Sequence, residues 1–566
     1  MHPARPISFP SCRVARVGDS LEIGFAGEYH VLRLRVVSAG GYLAFVPEGT
    51  DYRITDDFGD KRRTEIDGVE FLRLPVASRA RYGECANVAW DGSAAVAVMG
   101  TAPQVRIDGD VPEGVDGWRL FRAGTCASTG LFGGGAALFA SPTGGFLDRV
   151  DAFERDFRLP RGVRNRRDPI MRAAYLFTGD IEPANVAEEI EWMKKGGFRV
   201  CMVSYRAFAL ACGHFEWKRD RYPGGLADLV KVCDALRAAG IVPALHFHYN
   251  KVSMRDPYVT DGLDGRMAVV RDLCLATELG ADDDAASFEG NPSAMRHEDG
   301  RRIVRIGEEA LSYERVEPGR PWRLLGLKRG LFGTKRARHP KGTRGALLDV
   351  DDWPQFIRVD QTTDIQDEIA ARIAGIVDAC GFRLLYFDGG EDVPPPYWHN
   401  VPLAQMRVWE KIKTEPRGAE SALKSHFGWH MMSRGNAFDT FYPERTRQAL
   451  DKYILPAASL AADDFSTVDF GWFGFFLPGT KTRKIASLAD NNFAAVTAGT
   501  TPEQAEMVAS AAYRCNAPIS LMFTLKEYKK HPQADGIMAV FKKYEDMKFG
   551  GVDLLREPSR KEAGRR

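Results

Sequence analysis

A chain of 566 residues with 77 basic and 76 acidic side chains and 44% hydrophobic residues is too long for one ordinary domain. It carries no overall charge bias toward nucleic acid or an anionic membrane surface, so neither partner is expected. Nine cysteines are scattered without a CxxC pair, which excludes a dense disulfide scaffold; Cys201 in "FRVCMVSY" fits a buried thiol better than a metal ligand. The opening "MHPARPISFPSCRVARVGDS" lacks the roughly 7–15-residue apolar core of a secretory leader, and no segment approaches a membrane span. The expected location is the cytoplasm, or a secreted or periplasmic one if a leader has been removed.

From the start to residue 165, alternating segments such as "LEIGFAGEYHVLRLRVV" and "AAVAVMGTAPQVRIDG", punctuated by Gly, Pro and Asp, predict an N-terminal β-sandwich domain. From 166 to 566 apolar strands alternate with amphipathic helices, the texture of a parallel α/β fold. The first strand falls in "MRAAYLFTGD", before the helix "PANVAEEIEWMKKG". The second is "FRVCMVSY", and the helix "GLADLVKVCDALRAAG" leads into the third, "IVPALHFHYN". The helix "DIQDEIAARIAGIVDACG" feeds the fourth, "FRLLYFDGG". Four further strand candidates lie in "ESALKSHFGW", near "ILPAASLAADD", in "VDFGWFGFFL" and in "APISLMF", with helices at "TPEQAEMVASAAYRC" and "GIMAVFKKYEDMK". Eight such repeats predict a (β/α)8 TIM barrel. An open doubly wound sheet is the weaker fit, because no glycine-rich phosphate loop follows the first strand.

Residues 285–355 interrupt the third repeat with a β-rich insertion. Its "IGEEALSY … RGLFGT … HPKG" pattern resembles a small β module of phage tail proteins and some barrel glycosidases. At this position it would elaborate the loop after the third strand and wall a cleft. Its basic run "LKRGLFGTKRARHPKG" would attract an anionic glycan or form a solvated hairpin, and without regularly spaced aromatics it makes a poor nucleic-acid site.

Barrel chemistry sits at the C-terminal ends of strands. Those ends offer Asp180 after the first strand, Tyr205 and Arg206 after the second, His246 and His248 on the third, and Asp388 and Glu391 after the fourth. Later segments add Trp398, His426, Trp429, His430, Asp463, Asp464 and Trp472. Carboxylates, imidazoles and flat rings are the mixture a sugar site requires. Gly389 and Gly390 clear bulk beside Asp388, whose alternative is to cap a turn. Asp180 is placed to bind hydroxyls or to cap the helix that follows. Arg434 beside such a site would pair with an acidic sugar.

A sandwich followed by a barrel whose fourth strand ends in "YFDGGE" resembles the retaining α-glycosidases of the α-galactosidase and α-glucosidase superfamily. The resemblance implies a glycoside hydrolase acting on α-linked sugars without a metal or organic cofactor. Carried over, Asp388 is the nucleophile and Asp464 in "AADD" is the general acid/base, with Glu391 and Asp439 as rivals. The chain departs from that pattern in having no room for a C-terminal β domain after "KKYEDMKFGG". Two other readings stay open. His-x-His in "LHFHYN" points both imidazoles to one side, as in metal-dependent barrel hydrolases, although the pair falls on the third strand rather than the first; as sugar-binding groups, His246 and His248 would donate to hydroxyls. The chain would otherwise be a carbohydrate-binding protein without catalysis.

Overall fold

The computed structural model describes residues 10–388 apart from 26–29, 53–65, 80, 84–87, 111–116, 128–129, 160–162, 165–167, 293–301 and 351–354. It further describes 400–414, 416–421, 472–474, 501–514, 520–522 and 524–556.

Between Ser11 and Pro142 eight strands form one antiparallel sheet, and Gly68–Ala77, Trp118–Cys126 and Arg106–Asp110 form a second. The strand His30–Ala39 explains how they stack. Leu32 and Leu34 point inward, while Arg33 and Arg35 face outward and pair with Asp51 and Glu48. The inward residues share a core with Phe71, Val76, Ile107 and Phe121 of the smaller sheet, so two layers bury one apolar interior. On the larger sheet's other face, Tyr42 and Phe139 pack against Phe146, Val150 and Phe153 of the helix Phe146–Asp156. That cluster continues into Ile190 and Trp192 of the α/β region.

Among the described residues seven parallel strands make the second architecture: β1 (Tyr175–Thr178), β2 (Val200–Ser204), β3 (Val242–His248), β4 (Leu384–Asp388), β5 (Gly418–Ser421), β6 (Trp472–Gly474) and β7 (Ser520–Met522). Their spatial order is β5-β4-β3-β2-β1-β7-β6, so the last strand in sequence pairs with the first. The helices Val186–Gly196, Leu226–Ala238, Ile365–Cys380, Asn400–Lys411 and Pro502–Arg514 lie between successive strands. β6 comes from the segment expected to hold the seventh strand. The expected sixth, near "ILPAASLAADD", lies outside the described residues, between β5 and β6.

Both sheet faces are apolar, as parallel strands require. One face, with Leu176, Cys201, Val203, Leu245, Phe247, Leu385 and Phe387, meets the helices. The other, with Tyr175, Phe177, Val200, Met202, Val242, Ala244, Leu384 and Tyr386, forms a separate core with Ile170, Phe549 and Leu554. Arg417, just ahead of β5, pairs with Asp168 ahead of β1 at 2.7 Å, with both side chains largely buried.

Between β3 and β4 the chain builds a four-stranded and a three-stranded antiparallel sheet over a core of Leu275, Phe288, Val304, Leu311 and Leu324. The quoted pattern acquires a physical meaning there. Glu309 of "IGEEALSY" is buried and accepts from Arg329 Nε and Nη2 (both 2.7 Å), His339 Nε2 (2.9 Å) and the amides of Gly330 and Ala337 (both 3.1 Å). Burial opposes its ionisation, but Arg329 and His339 bring the carboxyl down to about 2. One buried carboxylate therefore ties together all three segments of the pattern, and Arg329 and His339 leave the basic run for the interior. Among the described residues, no helix is long and apolar enough to cross a membrane.

Candidate active site

Side chains alternate along a strand. Asp388 therefore shares a face with Leu384 and Tyr386, and His246 and His248 share it with Val242 and Ala244. The apolar core of that face runs up the strands and ends in polar groups at their C-terminal ends. Register does the rest: His246 lies opposite Ser204, and His248 opposite Asp388.

His246 Nε2 is 2.9 Å and His248 Nε2 is 3.1 Å from the same carboxylate oxygen, Asp388 Oδ2. Both imidazoles are buried, while the Asp388 side chain keeps 21% of its surface exposed. Among the described residues Oδ1 accepts no hydrogen bond. With Nε2–H of His246 donating to Asp388, its Nδ1 accepts from the Ser204 hydroxyl at 3.4 Å, which fixes the tautomer. Phe177 and Tyr386 pack on His246, and Phe356 packs on His248. Tyr205 lies against both imidazoles. Phe356 comes from the strand that leads the chain back from the insertion, so the insertion's stalk reaches the site.

Burial, with the nearby Lys251 charge, pushes the His248 imidazole down to about 4, and Asp388 only partly offsets this. His248 is therefore neutral at pH 7. Burial would raise the Asp388 carboxyl, but His248 and the two hydrogen bonds outweigh it and hold the group well below the usual carboxylate range. At neutral pH, where His248 carries no charge, the hydrogen bonds supply this stabilisation.

The donor atoms of His246, His248 and Asp388 all lie within 4.8 Å of one another, a spacing that would admit a cation. Against that fit stand a single carboxylate, the charges of Lys251 and Arg206 acting on the site, and a buried His248 Nδ1 that has no hydrogen-bond partner among the described residues. A metal-bound imidazole normally donates its second N–H to an acceptor.

A second imidazole–carboxylate pair adjoins this cluster through Phe215 and Tyr205. His214 Nδ1 is 2.7 Å from buried Asp256, which also accepts the His214 and Tyr258 amides. His214 adjoins Phe215, whose ring meets Tyr205 at 5.8 Å. Gly213 makes this turn possible: its φ is +123°, and a Cβ there would lie 2.5 Å from Asp256 Cγ. Gly213→Ala is expected to cost about 2 kcal/mol, read as a lower urea midpoint; an unchanged midpoint would show that Asp256 can move aside.

Asp388, His246, His248 and Tyr205 thus meet, with Arg206 at the rim. Asp180 lies two residues beyond β1, and its carboxylate is 3.9 Å from Arg221. Asn185, not Asp180, occupies the N-cap of the helix Val186–Gly196. Trp472 opens β6. Glu391, Trp398, His426, Trp429, His430, Asp439, Asp463 and Asp464 lie outside the described residues. Sequence reasoning passed over Ser204, Lys251, Phe177 and Phe356. Of these only Ser204 carried a signal, as the inward-parity residue ending the "VCMVS" strand.

No protein-family model matches the sequence, and no curated protein matches it. Among solved structures the chain is similar to a GH36 alpha-galactosidase of Geobacillus stearothermophilus in complex with 1-deoxygalactonojirimycin. The two are 11% identical over 94% of this chain and 69% of that one, with a TM-score of 0.42. It is also similar to the alpha-galactosidase of Lactobacillus brevis (8% identity, 96% and 71% covered, TM-score 0.45). A third similar structure is the alpha-galactosidase of Thermus thermophilus in complex with stachyose (13% identity, 92% and 99% covered, TM-score 0.40). Identities and TM-scores of this size leave the chemistry to be argued from the site.

Proposed function

We propose that the chain is a glycoside hydrolase that acts on α-linked sugars with retention of configuration, with Asp388 as its nucleophile. The observation that carries this reading is the asymmetric carboxylate. Two imidazoles hold Oδ2 and keep the group ionised, while Oδ1, at the C-terminal end of a strand, accepts no hydrogen bond from the described residues. Oδ1 attacks the anomeric carbon as the bond to the leaving oxygen breaks and a second carboxylic acid protonates that oxygen. Water, deprotonated by the same group, then cleaves the glycosyl ester and frees Asp388. The partner carboxyl should stand about 5–5.5 Å from Asp388; Asp464 is the first candidate and Glu391 the second. His246 and His248 act through Asp388, as positioning residues. In the same reading, the parallel sheet belongs to a (β/α)8 barrel. A panel of aryl α-glycosides, with the first-formed anomer followed by NMR, tests the mechanism: retention is expected, and inversion would remove Asp388 as nucleophile.

The clustering of three donor atoms within 4.8 Å favours one second reading, a metal-dependent hydrolase with His246, His248 and Asp388 as ligands. Such an ion would supply Lewis-acid activation of the substrate or of water. Under the glycosidase reading, protein dialysed against EDTA should keep full activity and bind no stoichiometric zinc. Loss of activity that zinc restores, with one ion bound per chain by elemental analysis, would replace the first reading by the second.

A further inference from the structure

We propose that the end of β2 carries a subsite for an anionic group on the sugar, a carboxylate or a sulfate ester, with the Arg206 guanidinium as its ion-pair partner. The subsite rests on the glycoside hydrolase reading above and names the class of sugar that such an enzyme takes.

Arg206 is the second residue beyond β2, and its backbone is fixed from both sides. Its amide donates to Ser204 Oγ, and its carbonyl accepts from Lys218 Nζ at 2.5 Å. The guanidinium lies 5.9 Å from the centre of the Tyr205 ring, and that ring lies against both imidazoles that hold Asp388. Arg206 is exposed, and no carboxylate among the described residues forms an ion pair with it. A fork of donors, anchored at the strand end and separated from the nucleophile by one aromatic ring, is suited to a planar carboxylate or a sulfate.

The surrounding charges point the same way. Lys251 is buried beside His248. Lys218, disfavoured as an ammonium by burial and by Arg221, also feels Arg255. Several acids nearby are already engaged: Glu182 holds Arg221, Asp180 faces Arg221, and Asp256 holds His214. Asp220 and Asp180 offset the burial and Arg221 acting on Lys218 only in part. A glycosyl transition state gains positive charge on the ring. A neutral sugar would develop that charge beside Asp388 and near the Arg206 guanidinium. An anionic substituent seated on Arg206 offsets that cation and uses binding energy made away from the reacting bond.

The test is calorimetric titration of the Asp388→Asn protein, which separates binding from turnover. The probes are methyl α-galactoside and methyl α-glucoside in neutral, 6-O-sulfated and uronate forms. At least tenfold tighter binding of an anionic form than of its neutral parent is expected, with the tighter of the two distinguishing carboxylate from sulfate. That preference should disappear in Asp388→Asn/Arg206→Gln of unchanged circular dichroism, and partly return with Arg206→Lys. Equal affinities, a preference that survives Arg206→Gln, or no binding of any anionic form at millimolar concentration would each overturn the subsite. If anionic probes bind through Arg206 but the parent protein hydrolyses none of the matching aryl glycosides, the hydrolase reading falls and the subsite stands.

Discussion

Asp388→Asn is expected to lower kcat on aryl α-glycosides by a factor on the order of 10⁴, about 5 kcal/mol of barrier, while leaving sugar binding close to that of the parent. The reason lies in the hydrogen bonds. An asparagine of the same shape can place its amide oxygen where Oδ2 stands and still accept from His246 and His248, now 2.9 and 3.1 Å from that position. The packing of Phe177, Tyr386 and Phe356 around the imidazoles is then undisturbed, and the loss is chemical. An amide neither attacks the anomeric carbon as a carboxylate does nor stabilises the positive charge that develops there. Asp388→Ala separates the two contributions, because it leaves room for a small external anion. Azide should restore part of the turnover and form a glycosyl azide of configuration opposite to the substrate's, by a single displacement at the anomeric carbon. Both measurements use the same aryl glycosides. Full activity in Asp388→Asn, or no azide adduct from a stable Asp388→Ala protein, would place the nucleophile elsewhere.

Asp388 and the His-x-His pair are legible in the sequence for a local reason. An apolar run fixes which residue ends the strand, and strand parity fixes which side chains share a face. What brings His248 opposite Asp388 is register between strands 140 residues apart, with an entire β insertion between them, and no local pattern encodes that pairing. The imidazoles consequently read as separate sugar-binding or metal-binding groups, when their Nε2 atoms both meet Asp388. Lys251 and Phe356 illustrate the same limit: the ammonium lies over the ring diagonally across a two-stranded ribbon (Lys251–Ser253 with Phe356–Arg358) that only the folded insertion creates. The insertion's own pattern is visible as recurring residue types, but its physical content, one buried carboxylate receiving five donors from the two other segments, needs the third dimension. Asp180 shows the same limit: its position after β1 suggests a ligand or a cap, the cap is Asn185, and the approach of Arg221 to its carboxylate at 3.9 Å is a tertiary contact.

Glu189→Gln is expected to stabilise the protein most at alkaline pH. Glu189 is fully buried on the helix Val186–Gly196. Burial raises its carboxyl to about 8, the charge of Asp180 adds to this, and Thr178 and Arg221 only partly offset them. Between the ordinary value of 4.5 and 8 the native protein therefore holds a proton that the unfolded chain has released. A state that binds more protons is favoured by acid, so stability falls as pH rises through this window and is least above pH 8. The size of the effect follows from the shift at about 1.4 kcal/mol per unit, giving about 2–3 kcal/mol between pH 6 and pH 8. Glutamine keeps the shape and never ionises, so the variant should lack this slope. Urea denaturation of parent and variant at pH 6 and pH 8 reads the difference, and titrations elsewhere in the chain cancel because both proteins share them. A variant whose advantage is the same at both pH values would show that Glu189 is not protonated in the folded state. A parent that gains on the variant as pH rises would show that its carboxylate is stabilised in the fold as an anion.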